Sequence, residues 1–255
     1  MPIEFFIFIL FVLFGAFEYV RPAEPGQSLA GRMRNIMFGV FVLAVGGFLS
    51  ALVFHLAPVS PRRISATGWR EVAVNLVLYA LIFDFFYYWY HRAQHRFAAF
   101  WQIHELHHSD DELNVTSSYR TYWLDYPLQA LFVALPTYFI VGFDARALGL
   151  FVFVTTLMLI WSHANIRVEM GRLSPFLVGP QVHRIHHSDL PQHRDRNFAQ
   201  WFPIYDIMFG TYYAPAAGEF PSTGTDTLAS RAPLSTVLFK PFAAWARMLR
   251  AGKSP

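Results

Sequence analysis

Histidine is where this chain concentrates its chemistry. Nine of its eleven histidines fall at positions whose spacing is helical or which close an apolar run. His91 and His95, four residues apart, align two imidazoles on one helix face, about 6 Å apart along the axis. His104, His107 and His108 follow with spacings of three and four, His163 ends a hydrophobic stretch, and His183, His186 and His187 restate the three-plus-four pattern. The stretches His104–Asp110 and His183–Asp189 agree at five of seven positions, which reads as two similar half-sites. Burying so many imidazoles together is costly unless a metal compensates them. Imidazole suits iron, zinc, copper or nickel, and nine ligands are too many for one ion. Two ions with four or five imidazoles each, leaving a position open for a small molecule, account for the count. His55 falls on the wrong side of the expected topology and is left out. His193 lies outside the pattern, as a support for the ligands or a surface residue.

Two divalent ions held by neutral ligands carry about four positive charges, so anions are expected nearby. Asp84 lies seven residues before His91 and shares a helix face with Tyr88 and His95. It is expected to accept the outer N–H of a ligating histidine and so fix its tautomer. Asp110, Asp189 and Asp195 are expected either to do the same or to cap a helix or turn. Cysteine is absent, which excludes disulfides, thiolate-ligated haem, iron–sulfur clusters and Cys-type zinc sites.

The elements that must carry these residues read as membrane helices. Of 255 residues, 55% are hydrophobic, 15% are charged and 27 are Phe, more apolar surface than one water-soluble core of this length buries. Apolar runs cover Ile3–Val20, Asn35–Ala57, Val72–Tyr90, Tyr122–Phe143 and Ala145–Asn165, with the last two joined around Gly142, as in a hairpin that does not cross fully. The first run lacks a basic start and a small-residue cleavage site, so it reads as retained. Placing the ends of runs one, three and five on one side gathers sixteen Lys and Arg there against four opposite, which assigns the richer side to the cytoplasm. The loop Pro58–Gly68 then faces out, and the histidines face in. The expected fold is an all-α, polytopic membrane helix bundle of four to five hydrophobic segments with a cytosolic, histidine-rich helical cap. Its expected divisions are 1–71 (membrane helices and outer loop), 72–213 (catalytic domain) and 214–255 (tail). Within the tail, Leu234–Arg250 reads as a helix lying in the lipid headgroups or docked on the cap, bent at Pro241. The net charge is only +3, with basic residues scattered among apolar runs, which argues against nucleic acid as a partner.

From about Asp84 to Tyr213 the chain resembles the fatty acid hydroxylase / sterol desaturase superfamily, membrane di-iron oxygenases defined by HxxxH, HxxHH and HxxHH boxes. The resemblance runs through Asp84-Phe85-Phe86-Tyr87-Tyr88-Trp89-Tyr90-His91-Arg92, His163-Ala164-Asn165, Asn197-Phe198 and Asp206-Ile207-Met208-Phe209-Gly210-Thr211-Tyr212. Ala199 stands where the family usually has Gly, and Tyr205 where it often has Trp. The resemblance implies two iron ions on the nine histidines, with zinc able to fill the same sites in purified protein, and Asn165 among the residues supporting the ligands. It also implies O2 as co-substrate and removal of hydrogen from an unactivated C–H bond of a fatty acyl, sterol or related lipid. The outcome is hydroxylation or a double bond. No cytochrome b5-like module is seen at either end, so electrons are expected from a separate protein of ferredoxin or cytochrome b5 type. Substrate is expected to enter from lipid past Phe83, Phe86, Tyr87 and Trp161.

Two other readings have a basis in the residues. His104-Glu105-Leu106-His107-His108 contains the HExxH of zinc metallohydrolases, with Glu105 as base, although this leaves the other boxes without a role. A bis-histidine haem protein or metal carrier is the non-enzymatic alternative. Soluble carboxylate-bridged di-iron bundles need a second Glu-x-x-His pair, which this chain lacks.

Overall fold

The computed structural model describes residues 3–58, 68–142 and 144–251, and among them every regular element is helical. Residues 59–67, most of the expected outer loop, lie outside the described residues, as do Arg62, Arg63 and Phe143.

Helix α1 covers Ile3–Val20, α2 Leu29–Leu56 and α3 Trp69–Arg96. Helices α2, α3 and the later α7 (Ala145–His163) are long and apolar enough to cross a membrane; α1, apolar from Phe5 to Val20, is a little short of that. Large apolar side chains such as Val40 and Phe48 of α2 stand exposed, which suits a lipid solvent. The expected run 122–143 is not one helix. It divides into α5 (Asp125–Gln129), a π turn (Ala130–Ala134) and α6 (Leu135–Val141). Pro136 offers no N–H to the preceding turn, and a wider turn before it is the ordinary accommodation. Gly142 then closes α6 at φ +69°, a conformation costly for any side chain, and the chain reverses into α7.

Helix α3 has 28 residues and is about 42 Å long. Its buried residues fall in two adjoining rows at three- and four-residue steps, Val72, Asn75, Tyr79 and Phe83, then Ala80, Asp84, Tyr88 and His91, so one face runs from the membrane core to the histidines. After the break at Phe97, α4 (Ala98–His108) folds back against it. Below the histidines, Tyr79, Phe83, Val133, Phe151, Met158 and Trp201 form the principal core.

Helix α2 approaches the segment 115–126 closely because its contact face carries glycine. A Cβ at Gly39 would lie 3.0 Å from Cβ of Tyr119, and one at Gly46 would lie 2.9 Å from the Trp123 carbonyl. The cap is built from α8 (Pro180–His186), α9 (Ile204–Met208) and α10 (Leu234–Ala251). Helix α10 docks on α4: Trp245 Nε1 donates to the Ala99 carbonyl at 2.9 Å, and Tyr122 Oη donates to that of Leu238 at 2.8 Å. It continues across Pro241 and leaves Phe239, Phe242 and Leu249 exposed on the opposite face, so it is a docked helix with an outward apolar stripe.

Candidate metal centre

Helices α3, α4, α7 and α8 bring all nine histidines together in two adjoining groups. His91, His95, His104, His108 and His186 form one; His107, His163, His183 and His187 form the other. Within each group every histidine offers one ring nitrogen, and these lie within 4.8 Å of one another. The two HxxHH boxes are shared between the groups in opposite senses. On α4 the outer pair, His104 and His108, serves the group of five, and His107 serves the group of four. On α8 and its end, His183 and His187 serve the group of four, and His186 crosses to the group of five. The boxes meet at His108 and His187, whose rings stack with centroids 4.4 Å apart. The internal echo in the sequence is thus an approximate two-fold exchange between facing segments.

Four rings have their tautomer set by main-chain carbonyls. Nδ1–H donates to the Phe198 carbonyl from His91 at 2.8 Å, to Arg120 from His107 at 3.2 Å, to Leu159 from His163 at 2.8 Å and to Arg196 from His186 at 2.8 Å. In each neutral ring the Nε2 is then a bare lone pair. Burial pushes the His107 pKa down to about 4 and holds His104, His108, His183, His186 and His187 well below the usual histidine range, so these rings are neutral near pH 7.

The lone pairs of His107 and His163 consequently face each other across 3.2 Å with no proton between them. That contact is repulsive unless a cation lies beside both. Other Nε2···Nε2 separations are 3.0 Å for His91 and His104, 3.1 Å for His104 and His108, and 3.1 Å for His163 and His183. Nitrogens about 2.1 Å from one ion are about 3.0 Å apart at right angles and about 3.4 Å apart at the tetrahedral angle. The donor set therefore fits ions of more than four coordination positions. His104, His183 and His187 keep a buried Nδ1, and His186 a buried Nε2, without a hydrogen-bond partner.

The expected supporting residues divide. Asp195 lies 3.5 Å from His95 Nδ1. Asp84 does not touch a histidine: its carboxylate accepts backbone N–H groups of Gln200 (2.9 Å), Trp201 (3.2 Å) and Phe202 (2.7 Å). Seven residues of helix set it about 10 Å below His91, too deep to reach that ring's outer nitrogen. Asp110 accepts from Asn35 Nδ2 (2.7 Å) and Ser117 Oγ (2.6 Å), and acts at a distance on the segment whose Arg120 carbonyl holds His107. Asp189 pairs with Arg194 at 2.9 Å. His193 is buried between Ser188 Oγ and Glu219. Asn165 exchanges hydrogen bonds with the backbone of Glu24. None of these last three is hydrogen-bonded to a ring of either group.

Other positioning residues escaped the sequence reading. Asp206 accepts the N–H groups of Phe198 and Ala199, both at 2.8 Å, so Asp84 and Asp206 together hold five consecutive backbone donors. Asn197 sits in the left-handed region at φ 57° and bonds both ways with the Tyr213 backbone, which turns the Arg196 and Phe198 carbonyls onto His186 and His91. Glu18 accepts from Val115 and Asn165 N–H groups and from Arg32, tying α1 to the segments on either side of His107 and His163. The only advance signal was that Asn197, Phe198 and Asp206 fell within the family resemblance.

Glu105 is turned away from the rings. Its carboxylate takes the ammonium of Lys240 from α10 and is almost fully buried there. A general base for hydrolysis would have to face the ions. Glu105→Gln, which keeps an acceptor for Lys240, is expected to retain metal content and turnover within about threefold, measured on purified protein; a hydrolase would lose nearly all activity.

Two cavities flank the histidines. One of about 400 Å³ reaches His104, His107, His163 and His183 from the membrane side, and its rim includes Leu43 of α2 and Val152 of α7, both exposed on lipid-facing helices. Phe83 and Tyr87 line it as expected, whereas Phe86 lines a separate outer groove and Trp161 packs against Phe14 of α1. The second, about 540 Å³, reaches His95, His108, His186 and His187 from the cap side.

Fold and site together define an integral membrane protein with a buried double polyhistidine centre suited to metal at one end of its bundle. The chain belongs to the fatty acid hydroxylase family, whose model matches residues 76–211. It is 32% identical over 138 residues to the alkylglycerol monooxygenase of Homo sapiens, covering 51% of this chain and 29% of that protein. It is 27% identical over 193 residues to the ornithine lipid hydroxylase OlsE of Rhizobium tropici (72% and 55%) and over 152 residues to the lathosterol oxidase of Mus musculus (60% and 49%). The chain thus spans between 29% and 55% of the length of these relatives. No solved structure matches.

Proposed function

We propose that this protein is a membrane-bound di-iron oxygenase that hydroxylates or desaturates a lipid. The observation that carries the reading is the pair of opposed lone pairs on His107 and His163, set among nine histidines gathered in two adjoining groups. His91, His95, His104, His108 and His186 would hold one iron, and His107, His163, His183 and His187 the other. Bound iron supplies the O2 reduction and C–H oxidation that no side chain performs. For hydroxylation, one oxygen atom enters the C–H bond and the other leaves as water, with two electrons and two protons from outside. Names of the relatives, a monooxygenase, a hydroxylase and an oxidase, support the same reading.

The protein's part is positioning. Carbonyls of Arg120, Leu159, Arg196 and Phe198 fix the rings, and Asp84, Asn197 and Asp206 fix two of those carbonyls. The membrane-side cavity, with Leu43 of α2 and Val152 of α7 on its rim, is the entry for a lipid. The cap-side cavity, with Trp101 5.2 Å from the His95 ring, is the approach for a separate ferredoxin- or cytochrome b5-type donor. The excess of basic residues at this face supports a cytoplasmic orientation.

Protein made in iron-supplemented cells is expected to carry about two iron ions per chain and to convert lipid only with O2 and a reductant. Chelation should abolish conversion, and iron should restore it. Full activity without a transition metal, or an intense Soret band, would overturn the reading. The imidazoles crowd edge to edge at about 3 Å between nitrogens, which leaves no flat slot for a haem.

A further inference from the structure

Apart from the two cavities that reach the histidines, the bundle carries an outer groove that ends blind. It holds about 260 Å³ and is lined by Phe86, Trp89, Tyr90 and Ala93 of α3, Phe100 of α4 and Phe132 of the π turn. No histidine is among these residues, and the one hydroxyl, that of Tyr90, is turned inward to Asp125 at 2.5 Å. Trp89 and Phe132 are 42% and 44% exposed, so the groove opens outward from helices that are themselves lipid-facing.

Spacing on α3 makes this slot. Phe86, Trp89, Ala93 and Arg96 recur at steps of three, four and three, which is one face of the helix. Ala93 leaves open a floor that a longer side chain would fill. The walls brace one another: Tyr90 stacks on Phe132 with centroids 6.1 Å apart, and Phe100 stands edge-on to Phe132 at 6.4 Å. Arg96 ends the same face. It is the last residue of α3, one turn beyond Ala93, exposed, and without an ion-pair or hydrogen-bond partner among the described residues. It also borders the cap-side cavity, so it stands where bundle meets cap. Arg92 differs, since its guanidinium lies 5.5 Å over the Trp89 ring and donates to Tyr88 Oη at 2.9 Å.

We propose that the outer groove is a binding site for a phospholipid of net negative headgroup, with one acyl chain lying over Ala93 between Trp89 and Phe132 and the phosphate paired with Arg96. An aromatic slot within the membrane-facing surface, with an unpaired guanidinium at its interfacial end, matches a hydrocarbon chain below and an anion above. A second protein chain fits poorly, because stable interfaces bury about 1,200 Å² or more and a slot of six residues offers a small part of that. The groove contains no imidazole, so its lipid is held there and is not the molecule oxidised. The site stands whether or not the histidines carry iron.

The test uses the full-length protein in detergent, washed free of lipid and titrated with phosphatidylglycerol or with phosphatidylcholine of identical chains, the bound lipids being counted by native mass spectrometry. Wild type is expected to bind about one phosphatidylglycerol per chain, about fivefold tighter than phosphatidylcholine, which is the discrimination one interfacial arginine supplies. Arg96→Gln should bring the two lipids within about twofold of each other. Ala93→Leu, which fills the floor, should weaken both by about tenfold or more. Phe132→Ala removes one wall, should weaken both as well, and serves where the leucine variant does not fold. No bound lipid in wild type, equal binding of the two lipids by wild type, or undiminished binding in both groove variants overturns the proposal. So does a change of oligomeric state in Ala93→Leu with lipid binding intact, which would assign the groove to a second copy of the chain.

Discussion

His107→Ala is expected to reduce bound iron from about two ions per chain to one or fewer, and turnover by more than about 100-fold. His107 belongs to the group of four, so its loss leaves three imidazoles there and leaves the His163 lone pair without its counterpart. It also stands on α4 between two members of the other group, so that group feels the change as well. Plasma-emission metal analysis and O2-dependent product formation measure the two effects. His193→Ala is the matched control: an equally buried histidine, bonded to Ser188 and Glu219, whose removal should leave the iron content alone. Unchanged iron in His107→Ala, or equal iron loss in both variants, would remove the basis for assigning His107 to the metal.

Asp84→Ala should produce the largest loss of stability. The carboxylate is fully buried and satisfies three consecutive N–H groups, none of which has another partner within reach of the same turn. Orphaning them costs about 3–5 kcal/mol, and in a domain of this size that corresponds to a fall in melting temperature of roughly 10 °C. The segment they fix continues into Phe198, whose carbonyl orients His91, so iron affinity should fall with stability. Asp84→Asn keeps one acceptor oxygen and should lose about half as much. Thermal unfolding in detergent, followed with iron content, measures both. If Asp84 instead acted directly on an imidazole, the alanine variant would lose iron while melting normally.

Much of this was legible in the amino-acid sequence, and the boundary has a physical cause. Spacings of three and four put imidazoles on shared helix faces because helix geometry is local, and Gly142 marked the reversal between α6 and α7 because only glycine takes that conformation cheaply. The exchange of His107 and His186 between groups was not legible, since it depends on how α4 meets α8 across about 75 residues of chain. The break at 130–134 was missed because an apolar run looks the same with or without a π turn. Asp84 was correctly singled out as an acid in a membrane helix and assigned the wrong partner, because three anonymous N–H groups compete for a carboxylate as well as any imidazole does. Carbonyl partners are invisible in a sequence for the same reason: every residue has one.

That last point bears on inheritance. The oxygens that steer His91, His107, His163 and His186 belong to the main chain at Phe198, Arg120, Leu159 and Arg196, and no point mutation at those four codons deletes them. The side chains there answer to other demands, Arg120 to its four side-chain hydrogen bonds and Phe198 to its packing on the rings, while the steering oxygens stay with the main chain. What such a lineage cannot tolerate is a shift of the loop itself: an insertion or deletion near 195–202 would misdirect His91 and His186 together.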